Sequence, residues 1–461
     1  MTRIAVVGAG IAGLSIAHAL LRQGARERGI DVIVLERSSR PGGNIRTDLI
    51  DGFLCEWGPN GFLDNAPATL DLVDQLGLRD RLHVSDDAAR RRFLYRRGRM
   101  HELPGTPGGF IRTGVLSAAG KLRVAMEPFA RRRPDGDETI HAFAARRIGR
   151  EAADVLIDAM VSGVFGGNAR TLSLRACFPK MWQMETDHGG LVRAFVARRR
   201  AGRIRKADGM GSPLGRLTSF RSGTEELVQA LAARLGPSLR LSTAVQHISR
   251  TARYRLALSG QDPIDADAVV LAGGSAATAD QVASWDAPLA AELRAIPCAP
   301  MVVVCLGYRE ADLSASLDGF GFLVPRGEGP RLLGALWDSS VYPGRAPAGH
   351  ALVRVMLGGA HDPSAIGLDG DAAVAAAREG LATVMGERAT PCFTQVFRHP
   401  LGIPQYTVGH LDRLGRIDDA LARHPGLVVA GNAYRGVAIN NCVAEAGPMA
   451  ASLLSQVTSA P

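Results

Sequence analysis

The sequence predicts an α/β fold organised around a Rossmann-like nucleotide-binding unit. Three observations carry that expectation. An apolar strand, "RIAVVGAG", opens the chain and runs into an Ala-rich apolar helix. A second strand–glycine–helix stretch, "VVAGNAYRGVAINNCVAEAG", occupies 428–447. Glycine is abundant, at 54 of 461 residues, and many of these follow strand-like runs. At this length two or three domains are expected.

The first element carries Gly8, Gly10 and Gly13 in G-x-G-x-x-G spacing, with Ala12 among them. Gly8 permits a tight turn, Gly10 lets a pyrophosphate approach the backbone, and Gly13 lets helix and strand pack closely. The helix N-terminus then presents free N–H groups to phosphate. The second strand, "DVIVLE", ends at Glu36, 23 positions after Gly13, where a carboxylate can accept hydrogen bonds from ribose hydroxyls. An acid there disfavours a 2′-phosphate, so NADP is set aside while FAD and NAD stay open. The next stretch, "ERSSRPGGNIRT", places Arg37, Arg40, Gly42, Gly43 and Arg46 behind Glu36. It resembles the dinucleotide signature of the flavin-dependent amine oxidase superfamily, where it serves FAD.

Further along, "ETIHAFAARRIGREAADVLIDAMVSGVF" has apolar residues at helical spacing. "LRLSTAVQHISR", "YRLALSG" and "DAVVLAGG" read as a strand, a hairpin-like strand and a buried strand ending near Ala272. "MVVVCLGY", "GFGFLVP", "LLGALW" and "ALVRVML" read as strands of a mixed sheet, and "RKADGMGSPLGR" as a connecting loop. The final turn, with a strand ending at Gly431 and a helix start near "NNCVAEAG", can face the flavin ring. Its dipole would favour the negative charge of reduced flavin. Pro448 inside that helix counts against a straight run.

Several stretches together resemble the oxygen-dependent protoporphyrinogen IX oxidase family of flavoproteins. They are "GAGIAGLSIAHAL", "LERSSRPGGNIRT", "EWGPNGF", "RRFLYRRGRMHELP", "VSGVFGGNARTLSLRACFP", "GFGFLVP", "LGIPQYTVGHL" and "GNAYRGVAINNC", in family order from Gly8 to Cys442. Coproporphyrinogen III oxidases of the same type share much of this pattern. The resemblance implies three interleaved parts. A FAD-binding domain is formed from 1–86, 208–272 and 405–461. A helical membrane-associating domain covers 93–180. A mixed-sheet substrate domain is formed from 87–92, 181–207 and 273–404. It further implies FAD contacts at Gly58, Pro59, Asn60, Val245, Ala272, Gly431, Val437 and Ala438, besides the first turn. Arg92 is implied to pair with a substrate propionate. Phe320, Leu323 and Met356 would pack on pyrrole faces, and the Gly163 carbonyl would accept pyrrole N–H bonds. Ser162 and Asn441 stand where relatives carry arginine or aspartate.

The implied reaction is the six-electron oxidation of protoporphyrinogen IX by oxygen, with hydrogen peroxide formed. Such chemistry needs no triad and no metal, and none is visible. His188 and His399 read as structural. The rival enzyme readings are a coproporphyrinogen III oxidase and a flavin amine oxidase, whose aromatic cage would rest on Tyr434 alone. A noncatalytic porphyrin carrier is the reading from another class.

The net charge of +9, from 54 basic and 45 acidic residues, attracts polyanions, anionic lipid or acidic substrates without choosing among them. The basic clusters lack interleaved aromatics, which argues against nucleic acid. Six cysteines without a C-x-x-C pair suggest neither zinc nor a disulfide framework and fit a reducing cytosol. The chain enters a strand at once, so a leader peptide is not expected, and no apolar run reaches the ~18 residues of a membrane span. A cytoplasmic protein on the inner-membrane surface is the expectation. Handover of product to a chelatase and a homodimer are further partner expectations.

Overall fold

A computed structural model describes residues 2–130, 136–200 and 215–458. The basic stretches at 131–133 and 201–206 and the glycine-rich connector at 205–214 lie outside the described residues.

The nucleotide-binding unit is a five-stranded parallel sheet. Its order is Leu239–Arg240, Ile30–Leu35, Thr2–Val7, Ala268–Leu271, Leu427–Val429. Strands covered on both faces read as continuous apolar runs. Ala268–Leu271 is buried at every position, and Ile4, Ala5 and Val6 are wholly enclosed. One face packs on the first helix, Ile11–Arg22, and on the last, Ile439–Thr458. That last helix runs through Pro448 without a break. Ala444 and Pro448 are both exposed, so the carbonyl that Pro448 releases lies on the solvent side.

A seven-stranded mixed sheet forms the second layer, in the order Phe393–Pro404, Cys298–Arg309, His350–Gly358, Gly334–Leu336, Gly321–Leu323, Arg92–Arg96, Arg99–Glu102. One face is covered by the helix Gly370–Met385, against which Val304, Leu306, Val355 and Leu357 are buried. The other face turns toward the nucleotide unit and the helical part.

Two segments differ from the expected division. Residues 93–102 are a β-hairpin of this sheet, not part of a helical run. Phe93 and Tyr95 pack on one face of the sheet and Leu94 on the other, the two-residue period of a strand, and Arg97 and Gly98 both take positive φ (52° and 76°), which favours a tight hairpin turn. The helical part therefore begins at Pro107–Arg112. Residues 181–200 join the helices rather than the sheet, as Pro179–His188 and Leu191–Arg200. Glu185 accepts from Arg146 at 2.6 and 2.9 Å, and Glu127 caps the start of Leu191–Arg200 through the Leu191 and Val192 N–H groups at 2.9 and 3.1 Å. No helix among the described residues is long and apolar enough to cross a membrane.

Glu127 also holds Arg147, whose Nε donates to it at 2.8 Å; both residues are buried. Removing one member of such a pair leaves a buried charge short of its partner. Glu127→Ala should lower unfolding free energy by about 3–5 kcal/mol, read from denaturant melts followed by circular dichroism. Glu310→Ala, on an exposed turn, should leave the midpoint unchanged.

Candidate functional site

Three parallel strands end side by side. The Ala272 N–H donates to Val7 O at 2.8 Å, and the Ala430 N–H to Leu271 O at 2.9 Å. The turns that follow therefore share one edge of the sheet. Gly8 has φ +107°, and a Cβ there would lie 3.1 Å from the Ala272 carbonyl. A Cβ on Gly13 would overlap the Gly8 carbonyl oxygen, and one on Gly431 would come within 4.0 Å of the Ala12 methyl. Gly8, Ala12, Gly13, Ala272 and Gly431 are thus brought together from three distant stretches of chain.

Gly10 faces the opposite way: a Cβ there would meet nothing within 4 Å. The Gly42–Gly43 loop lies beside it, with the Gly42 N–H donating to Ala9 O at 2.7 Å. Arg40 is spent on this loop, donating to the carbonyls of Pro41, Gly43 and Ile45 at 3.0, 2.8 and 3.2 Å. Arg46 pairs with Asp48 at 2.8 Å and stacks on Trp57 at 3.9 Å. Arg37 is exposed and has no described partner. Glu36 is buried, and its carboxylate accepts the Ala9 and Ser38 N–H groups at 2.8 and 2.9 Å. It braces the turn while keeping further lone pairs. Val245 is buried at the start of its own strand, three residues beyond Ser242, whose N–H donates to Ser38 O at 2.9 Å. Its carbonyl accepts from Gln281 at 3.1 Å.

Gly58, Pro59 and Asn60 are half-buried over a charge cluster that sequence reasoning missed. Arg354 donates to Glu56 O and Gly58 O at 3.2 and 3.0 Å, and its Nε lies 3.0 Å from Asp338. Asn60 donates to Asp338 at 3.3 Å, and Arg345 to Glu56 at 3.1 Å. Burial pushes the Glu56 and Asp338 carboxyls above their usual range, and the guanidiniums oppose it. The available signal was a lone arginine in the otherwise apolar strand "ALVRVML". The Asn60 Oδ1 is buried without a partner.

At the last turn, Val437 packs against the helical cluster and Ala438 is exposed. The Asn441 Oδ1 accepts the Ala438 N–H at 3.3 Å. Tyr434 is fully enclosed, so it lines no open cage. Half-buried His399 bonds Trp57 O at 2.8 Å, while His188 ends an exposed helical turn.

Of the expected substrate residues, Arg92, Leu323 and Met356 lie on the open face of the seven-stranded sheet, and Phe320 packs beside it against Val341 and Tyr342. Leu94, Leu323, Gly334 and Met356 form one cross-strand row. Gly334 contributes no side chain between Leu323 and Met356. Met356 stays half-exposed on a central strand whose neighbours Val355 and Leu357 are wholly buried. Opposite stands the helix Asp158–Phe165; a Cβ on Gly163 would come within 2.8 Å of Leu323. That helix ends at Gly166 in the left-handed conformation, so the Gly163 carbonyl belongs to the last-turn set without intrahelical partners. Ser162 is buried with its hydroxyl unpartnered. Arg92 opens its strand beside Gly321. Its guanidinium sits 5.0 Å over the Phe320 ring, and no described acid pairs with it. Adjacent Arg91 is committed to Asp318 and Glu102. Among the described residues no cluster of three or more His, Cys, Asp or Glu could hold a metal.

A nucleotide turn, a second turn at the same sheet edge and an apolar face beside them define a dinucleotide-cofactor oxidoreductase. The open position at Gly10, the spare lone pairs of Glu36 and the orphaned Asn60 Oδ1 fit a long polar cofactor there. The chain belongs to the flavin containing amine oxidoreductase family, whose pattern matches residues 11–454, and is a flavin-dependent oxidoreductase. It is 35% identical to human protoporphyrinogen oxidase, covering 98% of each chain. It is 32% identical to the coproporphyrinogen III oxidase of Propionibacterium freudenreichii, covering 96% of this chain and 89% of that one. A crystal structure from Exiguobacterium sp. 255-15 superposes with TM-score 0.85 at 27% identity, covering 99% of both chains. Putrescine oxidase, at 17% identity and TM-score 0.68, shares the fold.

Gly13→Ala should abolish stoichiometric flavin, because helix and strand cannot both keep their places. The visible absorbance of the purified protein against its protein absorbance reads this directly. Gly105→Ala, at an unobstructed loop position, should retain full colour.

Proposed function

We propose that this protein is a FAD-dependent protoporphyrinogen IX oxidase. The observation that carries the reading is the half-open apolar row Leu323–Gly334–Met356, with the acid-free Arg92 at its edge. A flat apolar macrocycle with carboxylates on one side matches that surface, and the named relatives act in the same chemistry. FAD is favoured over a mononucleotide because Glu36 and the Gly8–Gly13 turn suit an adenosine ribose and a pyrophosphate.

Bound FAD supplies a two-electron acceptor that oxygen regenerates; three cycles remove six electrons and six protons and reduce three oxygen molecules to hydrogen peroxide. The residues of the chain bind and orient. Arg92 holds a propionate, its guanidinium already fixed against Phe320. Leu323 and Met356 receive the pyrrole faces and exclude water. The Gly163 carbonyl accepts a pyrrole N–H, turning one bridge carbon toward the cofactor. Positioning of this kind is what an aromatising oxidation demands of a protein.

Coproporphyrinogen III is the second reading, favoured by the bacterial relatives that carry that name. A tetracarboxylate asks for more unpaired cations, yet Arg91 beside Arg92 is already neutralised. Purified, FAD-loaded protein should produce porphyrin fluorescence faster from protoporphyrinogen. A preference for coproporphyrinogen reverses the assignment, and anaerobic failure to bleach with either supports a carrier. Arg92→Met should raise the KM about tenfold or more, the loss of one charge-assisted hydrogen bond, with flavin content unchanged.

We propose the cytoplasmic face of a membrane as its location. Ile111, Leu122 and Phe129 are 71%, 63% and 83% exposed, and Val192 and Phe195 continue that apolar surface on a helix bonded to Glu127. Lys121, Arg112 and Arg193 lie among them. A product this insoluble suits handover to a chelatase at such a surface, and a homodimer is compatible with it. Sedimentation with anionic liposomes should be salt-sensitive and should weaken when Phe129 and Leu122 become serine. Equal sedimentation of the variant would place the contact elsewhere.

A further inference from the structure

The final turn, from Gly431 to the helix start at Ile439, is held from behind by two side chains, Tyr406 and His410. Tyr406 is enclosed, at 1% exposure, and its hydroxyl bridges the turn. It donates to Asn432 O at 2.6 Å and accepts the Gly436 N–H at 2.8 Å. Burial raises the phenol's pKa, so it stays protonated and able to donate. His410 stacks on the Tyr406 ring, with centroids 4.1 Å apart and planes 12° from parallel. Its Nε2 reaches Tyr434 O at 2.9 Å. A carbonyl only accepts, so Nε2 carries the proton, and burial keeps the ring neutral. Two carbonyls of the turn, those of Asn432 and Tyr434, are thus drawn back into the protein.

The same segment grips the opposite wall. Gln405 donates to Phe165 O at 2.8 Å, at the end of the helix that carries Gly163. The Tyr406 carbonyl accepts the Ser173 N–H at 2.8 Å, and Leu172 bridges Thr407. One short stretch therefore touches the substrate-side helix and the cofactor-side turn at once.

We propose that Tyr406 is a positioning residue that sets the turn against the flavin and registers it to the Gly163 helix. By retaining the Asn432 carbonyl, it keeps a negative dipole end away from the place where reduced flavin gathers charge. The inference rests on the flavin reading of the site but not on the choice of porphyrinogen.

Tyr406→Phe removes the bridge and leaves ring volume and stacking intact. The expected result is flavin affinity weakened about five- to tenfold, the effect of one net hydrogen bond, together with a more negative flavin potential. His410→Phe, which loses the Tyr434 bond but can still stack, should shift the potential the same way. Affinity is read by flavin fluorescence on reconstitution and potential by dye equilibration, neither of which needs substrate. An unchanged potential and affinity in Tyr406→Phe, with or without a lowered melting temperature, overturns the proposal. If Tyr406→Phe does not fold, an unchanged potential in His410→Phe does the same. Wild-type protein that takes up no flavin removes both this inference and the proposed function. Wild-type protein that binds flavin but leaves both porphyrinogens unoxidised removes only the proposed substrate.

Discussion

The structure depends on parallel pairing among strands far apart in the chain. Thr2–Val7 lies between Ile30–Leu35 and Ala268–Leu271, and Leu427–Val429 closes the edge. A parallel strand cannot follow its neighbour through a tight turn, so a crossover must intervene. Here two crossovers are long enough to contain whole substructures. The seven-stranded sheet and the helices are insertions between strands of the nucleotide sheet. Each return brings a fresh loop to the same strand ends, which is why turns more than four hundred residues apart meet at Gly8, Ala272 and Gly431.

Insertion creates a problem of register. Two sheets joined only by chain crossings would be free to shift, and a site shared between them would blur. The cluster of Glu56, Arg345, Arg354 and Asp338 answers this with charge. All four side chains are nearly or wholly buried, and each acid touches an arginine. Buried ion pairs add little net stability, but their geometry is strict because a displaced partner leaves a naked charge. Arg354 stands two residues from Met356 and bonds the Gly58 carbonyl, so the distance between the apolar row and the 58–60 segment is set there.

What could be read from the sequence was local. The glycine spacing and Glu36 act through neighbours within one βαβ unit, and their geometry follows from backbone sterics alone. The buried strand before Ala272 was legible from its unbroken apolar run. The hairpin 93–102 is hard to read as strand because its apolar residues run together between arginines; only the Arg97–Gly98 turn marks it. The helices at 181–200 carry no local sign of where they pack, because their anchor is Glu127, more than fifty residues back. Tyr406 carries no local signal of its role, because its hydroxyl meets residues 26 and 30 positions away.

The chemistry proposed decides what the side chains around the apolar row must do. Proton transfer asks for a titratable group of tuned pKa within reach of the substrate. An oxidation driven toward aromaticity asks instead for a fixed distance between one carbon and an electron acceptor. The structure spends its polar groups accordingly. Arg40, Arg345, Arg354, Gln405 and Tyr406 all bond backbone carbonyls, and each holds a loop or a helix end in place. Arg92 is the contrast: on the open face of the sheet it has no described acid and lies over the Phe320 ring. Exposed and without a described acid, Arg92 is open to a partner of opposite charge, which is what the proposed reading asks of it.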